Sequence, residues 1–200
     1  MKKILLLTLL CVFFASCIGI KNVVSINADL SGTIEWNYEM DNSIYQLGHL
    51  GDQTKDLPLP VLKEDFQRVC DSNKGLSLKS YDLKQKEDSI SVKARVAFSH
   101  VSHLNQISPK SDLGEVWVVS EKSIGVRLNW GDSLELTADD KAMVKDFLEG
   151  YSLEMIFRLP GSVKSASLGE ISSDKKQVSI KLSYLEALEL EDDFFEISWQ

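Results

Sequence analysis

The sequence lacks the short motifs that mark the common classes of enzyme. It contains no Gly-x-Ser-x-Gly nucleophile motif, no phosphate-binding loop and no dinucleotide-binding glycine run. Two of its three histidines, His100 and His103, have the spacing of metal ligands, but no third ligand lies near them in the sequence. We therefore expect a protein that is not an enzyme and holds no metal or cofactor, with both histidines solvated or capping a helical turn.

Long apolar runs are also scarce. The run from Ile4 to Phe14 is only about half of the ~20 residues that a membrane-spanning helix needs. It follows Lys2 and Lys3 and precedes the small pair Ala15-Ser16, which is the layout of a secretory signal peptide. We therefore predict that residues 1–16 are cleaved and that the mature chain is extracytoplasmic.

The residues that end this segment, Phe14-Ala15-Ser16-Cys17, resemble the lipobox of bacterial lipoproteins, with Phe where Leu or another aliphatic residue is usual. The resemblance implies that Cys17 becomes the first mature residue and carries palmitate, which anchors the chain in the cell envelope. Ile18 replaces the Asp that can retain lipoproteins at an inner membrane, which favours the outer membrane where there are two. The alternative is an ordinary signal peptide cleaved nearby, in which Cys17 has no role.

Cysteine is too scarce to build a disulfide framework. Of the three cysteines, Cys11 would leave with the signal peptide and Cys17 would carry the lipid, which leaves Cys70 alone. One thiol cannot form an intrachain disulfide. Cys70 lies on the apolar face of a predicted helix, so we expect a small buried side chain rather than a reactive thiol.

Positive charge is in deficit. The formal net charge of −8 becomes −10 once Lys2 and Lys3 leave with the signal peptide. Such a surface repels phosphate backbones and anionic head groups, so we expect no nucleic-acid partner. Contact with lipid would have to come from apolar burial.

The most regular pattern present runs from Val24 to Met40, where apolar and polar residues alternate. A flat strand of this length would span about 55 Å, so a bend is required, and Ser31-Gly32 is the natural place. A two-residue loop there would pair Leu30 with Thr33 and mix the two faces, whereas a three-residue loop pairing Leu30 with Ile34 would keep them apart. We favour one continuous, curled strand.

Helix and strand patterns then alternate along the chain. Apolar stripes predict helices from Pro60 to Ser72 and from Ala138 to Glu149. A parity change at Lys79-Ser80 predicts a bulge, and Val116 to Val119, apolar on both faces, predicts a strand covered twice. Further strand patterns run through 76–83, 90–98, 124–130, 153–159, 163–168, 178–184 and 195–199.

These elements predict an α+β fold in which a curved, mainly antiparallel β-sheet of about eight strands packs against two α-helices. No linker rich in Gly, Ser or Pro divides the chain. We therefore expect a single domain over residues 23–200, joined to the lipidated cysteine by a short tether within residues 17–22.

Large aromatic residues on the predicted inner faces are the candidate ligand-binding residues, because ligand pockets are mostly apolar and aromatic. Ordinary core packing is the alternative for the same side chains. The candidates are Trp36, Tyr38, Trp117, Trp130, Phe147 and Phe157.

The order of elements, with Leu30 to Ile34 in the first strand and Leu159 to Val163 late in the chain, resembles the LppM-type family of bacterial lipoproteins. The resemblance implies a helix-grip-like α+β fold and an association with envelope lipids. Such proteins can carry a terminal membrane helix. This chain ends at Gln200 without one, so attachment would rest on Cys17.

Two functions follow from these observations. The first is a lipid-anchored envelope protein that binds a lipid or other apolar ligand between its sheet and the helix from Ala138 to Glu149. The alternative is an interaction or scaffold module of the envelope that holds a protein partner through a sheet edge or an acidic face.

Overall fold

The computed structural model describes residues 19–42, 60–107, 113–130, 152–183, 186–187, 190 and 194–200. These residues form two β-sheets, with seven strands in one and four in the other. The seven-stranded sheet contains β1 (Gly19–Ile26), β2 (Gly32–Asp41), β3 (Leu76–Gln85), β4 (Ser89–Phe98), β7 (Ser152–Arg158), β9 (Glu170–Ile171) and β10 (Gln177–Ser183). The four-stranded sheet contains β5 (Leu113–Ser120), β6 (Ser123–Trp130), β8 (Val163–Ala166) and β11 (Phe194–Trp199).

Helical segments accompany the sheets in the described part of the chain. Helix α1 spans Lys63–Ser72, and a short 3-10 helix spans Val101–Gln106. The α+β class is therefore confirmed, but the strands divide between two sheets where a single sheet of about eight was predicted. The predicted helix from Ala138 to Glu149 lies outside the described residues. Within those residues, no helix combines the length and apolar character that a membrane crossing would require.

The prediction of one curled strand from Val24 to Met40 is wrong, because β1 and β2 form a hairpin. Their register pairs Val24 with Ile34 and Ile26 with Gly32, leaving a five-residue loop. The Asp29 carboxylate accepts hydrogen bonds from the backbone N–H and the hydroxyl of Ser31, which close this loop. A loop with an odd number of residues preserves the alternation of faces, so the apolar side stays continuous across the turn.

The first strand begins earlier in the sequence than predicted. Strand β1 begins at Gly19, and its register pairs Ile20 with Tyr38 on one side and with Leu153 on the other. Asn22 is only 3% exposed. Residues 19–22 are therefore part of the sheet, because both neighbouring strands bond to them.

Strand β1 occupies the centre of the seven-stranded sheet, whose order is β3-β4-β2-β1-β7-β10-β9. It pairs antiparallel with β2 and parallel with β7. All other pairs in this sheet are antiparallel. The sheet is therefore mainly antiparallel, as the sequence predicted.

The two faces of this sheet have opposite character. On the outer face, charges of opposite sign lie on adjacent strands: Lys21 Nζ is 2.9 Å from Glu154 Oε1, and Arg95 Nη2 is 2.6 Å from Glu35 Oε2. Burial acts to raise the pKa of Glu35, but the hydrogen bond from Arg95 and the charge of Lys93 outweigh it and lower that pKa. The outer face is thus a solvated, ion-paired surface.

Among the described residues, two different elements cover the inner face. Helix α1 covers one part, where Phe66 belongs to a buried cluster that includes Tyr38, Ile90 and Val92 of the sheet. The four-stranded sheet covers the other part through a cluster of buried side chains that includes Val24, Ile34, Trp117, Ile124, Phe157, Phe195 and Ile197. Ile20, Trp36 and Leu78 are partly buried and touch both clusters, so they mark the junction between the two covers.

Several sequence predictions agree with this arrangement. Helix α1 lies within the predicted span but begins at Lys63 instead of Pro60. The Asp65 carboxylate accepts the Leu62 backbone N–H at 3.0 Å and so satisfies one of the free donors at the helix start. The predicted bulge is confirmed by a register shift between Leu78 and Ser80.

The prediction for Val116 to Val119 is wrong, because β5 is an edge strand of the four-stranded sheet. Val116 and Val118 face outward and are 41% and 55% exposed, while Trp117 faces inward and is 4% exposed. Apolar residues on both faces of a strand are buried on both faces only if another element covers each face of the sheet. Here the four-stranded sheet is covered by its larger partner on one side.

A side chain closes part of the open edge of β5. The Trp117 backbone N–H donates to Asn105 Oδ1 at 2.6 Å, and Asn105 Nδ2 donates to the Trp117 carbonyl at 2.9 Å. The amide of Asn105 thus takes the place of a neighbouring strand at this residue. Blocking an exposed edge in this way opposes pairing with another chain.

Replacing Asn105 by Ala should lower the free energy of unfolding by about 1–2 kcal/mol, because two backbone groups of Trp117 lose their partner. Urea unfolding followed by circular dichroism measures this change. The matched control is Gln106→Ala, at the next exposed position, which should change stability by less than about 0.5 kcal/mol. Equal stabilities for the two variants would contradict the assigned role of Asn105.

Candidate functional site

The structure divides the predicted ligand-binding residues between two clusters. Trp36 and Tyr38 lie on β2 and face helix α1, whereas Trp117 and Phe157 lie between the two sheets. Trp130 is in β6, but its side chain lies outside the described residues, as does Phe147. The described candidates therefore do not line one common cavity, and their role in ligand binding stays a prediction.

The helix-side cluster contains two aromatic residues that the sequence did not single out. The ring centroid of Phe66 is 6.0 Å from that of Trp36 and 5.8 Å from that of Tyr81. Phe66 belongs to the apolar stripe of α1, and Tyr81 follows the bulge in β3. The helical spacing of apolar residues in α1 could have identified Phe66, and the parity change in β3 could have identified Tyr81.

Two tyrosine hydroxyl groups hold the chain that leads into α1. Tyr38 Oη donates to the Pro60 carbonyl, and Tyr81 Oη donates to the Val61 carbonyl at 2.8 Å. Burial, with smaller contributions from Tyr81 and Asp65, raises the pKa of Tyr38 far above its ordinary value. Tyr38 is thus a structural donor, and its hydroxyl is already bonded within the protein.

The aromatic residues between the sheets form a second continuous group. The centroid of Phe157 is 6.0 Å from that of Trp117 and 5.8 Å from that of Phe195. Phe157 is fully buried, and Phe195 is 3% exposed. Close, tilted packing of this kind is what the core alternative predicted for Trp117 and Phe157.

Trp36 differs from the other described candidates because it is only partly buried. It lies with Ile20 and Leu78 at the junction of the two covers. Asn22, one of two buried polar residues among those the structure describes, is the register partner of Trp36 on β1. The junction therefore combines apolar side chains with a buried amide, which is the usual composition of a pocket for an amphipathic guest.

A polar pocket of about 200 Å³ opens beside the first residues of β1. Its lining includes Lys21, Glu154 and Glu39. The hydroxyl of Ser89 donates to Glu39, and Lys86 Nζ lies 2.9 Å from it, and these bonds lower the pKa of Glu39. Glu39 therefore stays ionised and bonded within the protein, and its carboxyl group is not adapted to donate a proton.

The two neighbouring histidines have structural roles. His100 Nδ1 accepts the Ser102 backbone N–H at 3.2 Å and thereby caps the 3-10 helix, as predicted. The ring of His103 packs against Gly75, where a Cβ atom would collide with it. In the described part of the chain, no three His, Cys, Asp or Glu side chains come close enough together to hold a metal ion.

Cys70 is 6% exposed, in agreement with the expected buried side chain. Burial, together with the charge of Asp71, raises the pKa of its thiol. A raised pKa lowers the thiolate fraction at neutral pH, so the thiol is poorly reactive. Cys17 lies outside the described residues.

Replacing Tyr38 by Phe should lower stability by about 1 kcal/mol at neutral pH, because the hydrogen bond to Pro60 is lost. The raised pKa of Tyr38 means that its contribution is present below the ordinary value of 10.0 and is lost as pH rises above it. The variant should therefore lose less stability than the wild type above pH 10. Urea unfolding on both sides of that pH measures the difference.

The matched control is Tyr81→Phe, which removes the neighbouring hydrogen bond to the same segment. This variant should be destabilised at neutral pH to a similar degree. Because it retains Tyr38, its stability should still fall above pH 10 as that of the wild type does. An unchanged alkaline dependence in Tyr38→Phe would contradict the prediction.

Comparison with known proteins shows what this fold is similar to. No protein-family model matches the sequence, and no curated protein sequence matches it. Among solved structures, the NMR structure of the folded domain of LppM from Mycobacterium tuberculosis matches with a TM-score of 0.51 and 12% sequence identity. The match covers 92% of this chain and 91% of the LppM domain. At this identity the likeness concerns the fold, and it confirms the LppM-like architecture that the sequence resemblance implied.

Proposed function

We propose that this chain is a non-catalytic lipoprotein of the bacterial envelope, anchored through Cys17, which binds a lipid or other apolar ligand at the inner face of its seven-stranded sheet. The observation that carries the proposal is the match to the LppM folded domain over 92% of the chain. It agrees with a family resemblance that rests on different evidence, namely the lipobox-like residues and the order of elements in the sequence.

The start of β1 supports cleavage directly before Cys17. Gly19 is already paired with Ser152, and Asn22 is buried in the sheet. A signal peptidase that cut after Gly19 would remove residues of the central strand. The mature chain must therefore begin at or before this strand, and Cys17 lies two residues ahead of it.

The junction beside Trp36 is the best supported position for a ligand. Three apolar side chains at this junction pack against both buried clusters and yet are only partly buried themselves: Ile20, Trp36 and Leu78. An acyl chain laid against them would bury apolar surface worth about 0.8 kcal/mol for each CH₂ group. This ligand would lie on the side of the sheet opposite to the ion-paired outer face.

Metabolic labelling with palmitate tests the anchor. The wild-type chain should take up label and fractionate with membranes, whereas Cys17→Ala should do neither. Cys70→Ala is the matched control and should label like the wild type, because its thiol is buried in the folded domain. Palmitate uptake by Cys17→Ala would refute attachment at this residue.

Mass spectrometry of gently purified protein tests the ligand. Wild-type protein should carry lipid, and Trp36→Ala should reduce lipid occupancy severalfold, because Trp36 lies at the junction. Trp117→Ala, in the core between the sheets, is the control and should keep its occupancy while folded. Circular dichroism checks the folding of both variants.

Wild-type protein without bound lipid would refute the ligand proposal. Crosslinking in native membranes that recovers one stoichiometric protein partner would then favour an interaction module. Val116 and Val118 on the edge strand β5 are among the exposed apolar side chains that such a partner could cover.

A further inference from the structure

The start of β1 fixes where an N-terminal anchor meets the folded domain. Two residues of chain reach at most about 7 Å, so Cys17 lies within that distance of Gly19 whatever its direction. Strand β1 has eight residues and spans roughly 25 Å. Cys17 is therefore confined to one end of the strand, and the β1–β2 loop at the other end lies far from it.

The strand registers show which other residues share that end. Ile20 pairs with Tyr38, Tyr38 with Val92, and Val92 with Leu83. Glu39 follows Tyr38 in β2 and pairs with Ser91, which pairs with Lys84, so Gly19 lies at the level of these residues. The β3–β4 turn, residues 86–88, lies beyond that level by about two residues, or roughly 7 Å. The turn thus projects along the sheet as far as Cys17 can reach.

Hydrogen bonds hold this turn against the end of β2. The Lys86 backbone N–H donates to the Ser89 carbonyl at 2.8 Å, and the Asn42 backbone N–H donates to the Asp88 carbonyl at 3.1 Å. Lys86 Nζ also lies 2.9 Å from Glu39 Oε1. The turn is consequently a fixed part of the sheet end and moves with β1.

The position of β1 in the sheet decides how the domain sits on its anchor. Three strands lie on each side of β1, so a lipid at its start is attached at the middle of the sheet end. We propose that this end, including the turn at residues 86–88, is the surface that contacts the phospholipid head groups of the bilayer, with the strands standing away from the membrane. The inference rests on the proposed acylation of Cys17.

The charges of the turn indicate what kind of contact this is. Lys86, Glu87 and Asp88 are all exposed, and together they carry no excess of positive charge. The contact is therefore imposed by the short tether and not by attraction to anionic lipid. It should persist in vesicles without anionic lipid and at high salt.

Site-directed fluorescence tests the orientation of the acylated full-length protein. A single cysteine at Glu87→Cys carries an environment-sensitive dye. The matched control is Lys74→Cys, which is exposed just before β3 begins, at the opposite end of the sheet and roughly 30 Å away. The acylated protein without an added cysteine is the background control, because any dye that it takes up has reacted with the buried Cys70. Vesicles of phosphatidylethanolamine and phosphatidylglycerol, or of phosphatidylcholine alone, carry a quencher on the lipid head group.

Quenching should be severalfold stronger for the dye at residue 87 than at residue 74, in both kinds of vesicle. Equal quenching at the two positions, which a domain lying flat would produce, or stronger quenching at residue 74 would overturn the orientation while leaving the anchor intact. Protein that takes up no palmitate and does not bind vesicles would overturn the proposed function, and the orientation with it.

Discussion

The described structure depends on covering one sheet face that is largely apolar and wider than any single element that the structure describes. Helix α1 is ten residues long and can cover only the part of the sheet near β3 and β4. The four-stranded sheet covers the rest. Two separate covers leave a junction, and the partly buried Trp36 lies there because neither cover fully encloses it. The candidate ligand position is thus a consequence of how the apolar surface is divided.

Most strands and helix α1 could be predicted from local pattern. Alternation over 90–98 and 124–130 predicted β4 and β6, and the parity change at Lys79-Ser80 predicted the bulge in β3. The hairpin at the start of the chain was missed because its five-residue loop preserves the alternation, so the pattern resembles one strand. Asp29 and Ser31, which close the loop, are the turn signal that could have revealed it.

Contacts between elements that are distant in the sequence could not be predicted from local patterns. Val116 and Val118 carry the same local signal as buried strand residues, and only the partition into two sheets leaves them exposed. The same partition explains why the predicted ligand-binding residues divide between two clusters. The alternation of apolar residues does not tell whether a side chain faces helix α1 or the four-stranded sheet. The lipid anchor that we propose at Cys17, in contrast, is predicted from four adjacent residues, because a processing signal is read locally.

The parallel pairing of β1 with β7 bears on how such a chain could be exported. Lys21 and Glu154, which bond across these strands, are 133 positions apart in sequence. If the chain crosses a membrane N-terminus first, β1 emerges long before its partner, and the centre of the sheet cannot close until most of the polypeptide has passed. Contacts of such long range also fold slowly. In a chain exported in this way, the local β1–β2 hairpin could form early, whereas the seven-stranded sheet would be completed only after β7 had emerged.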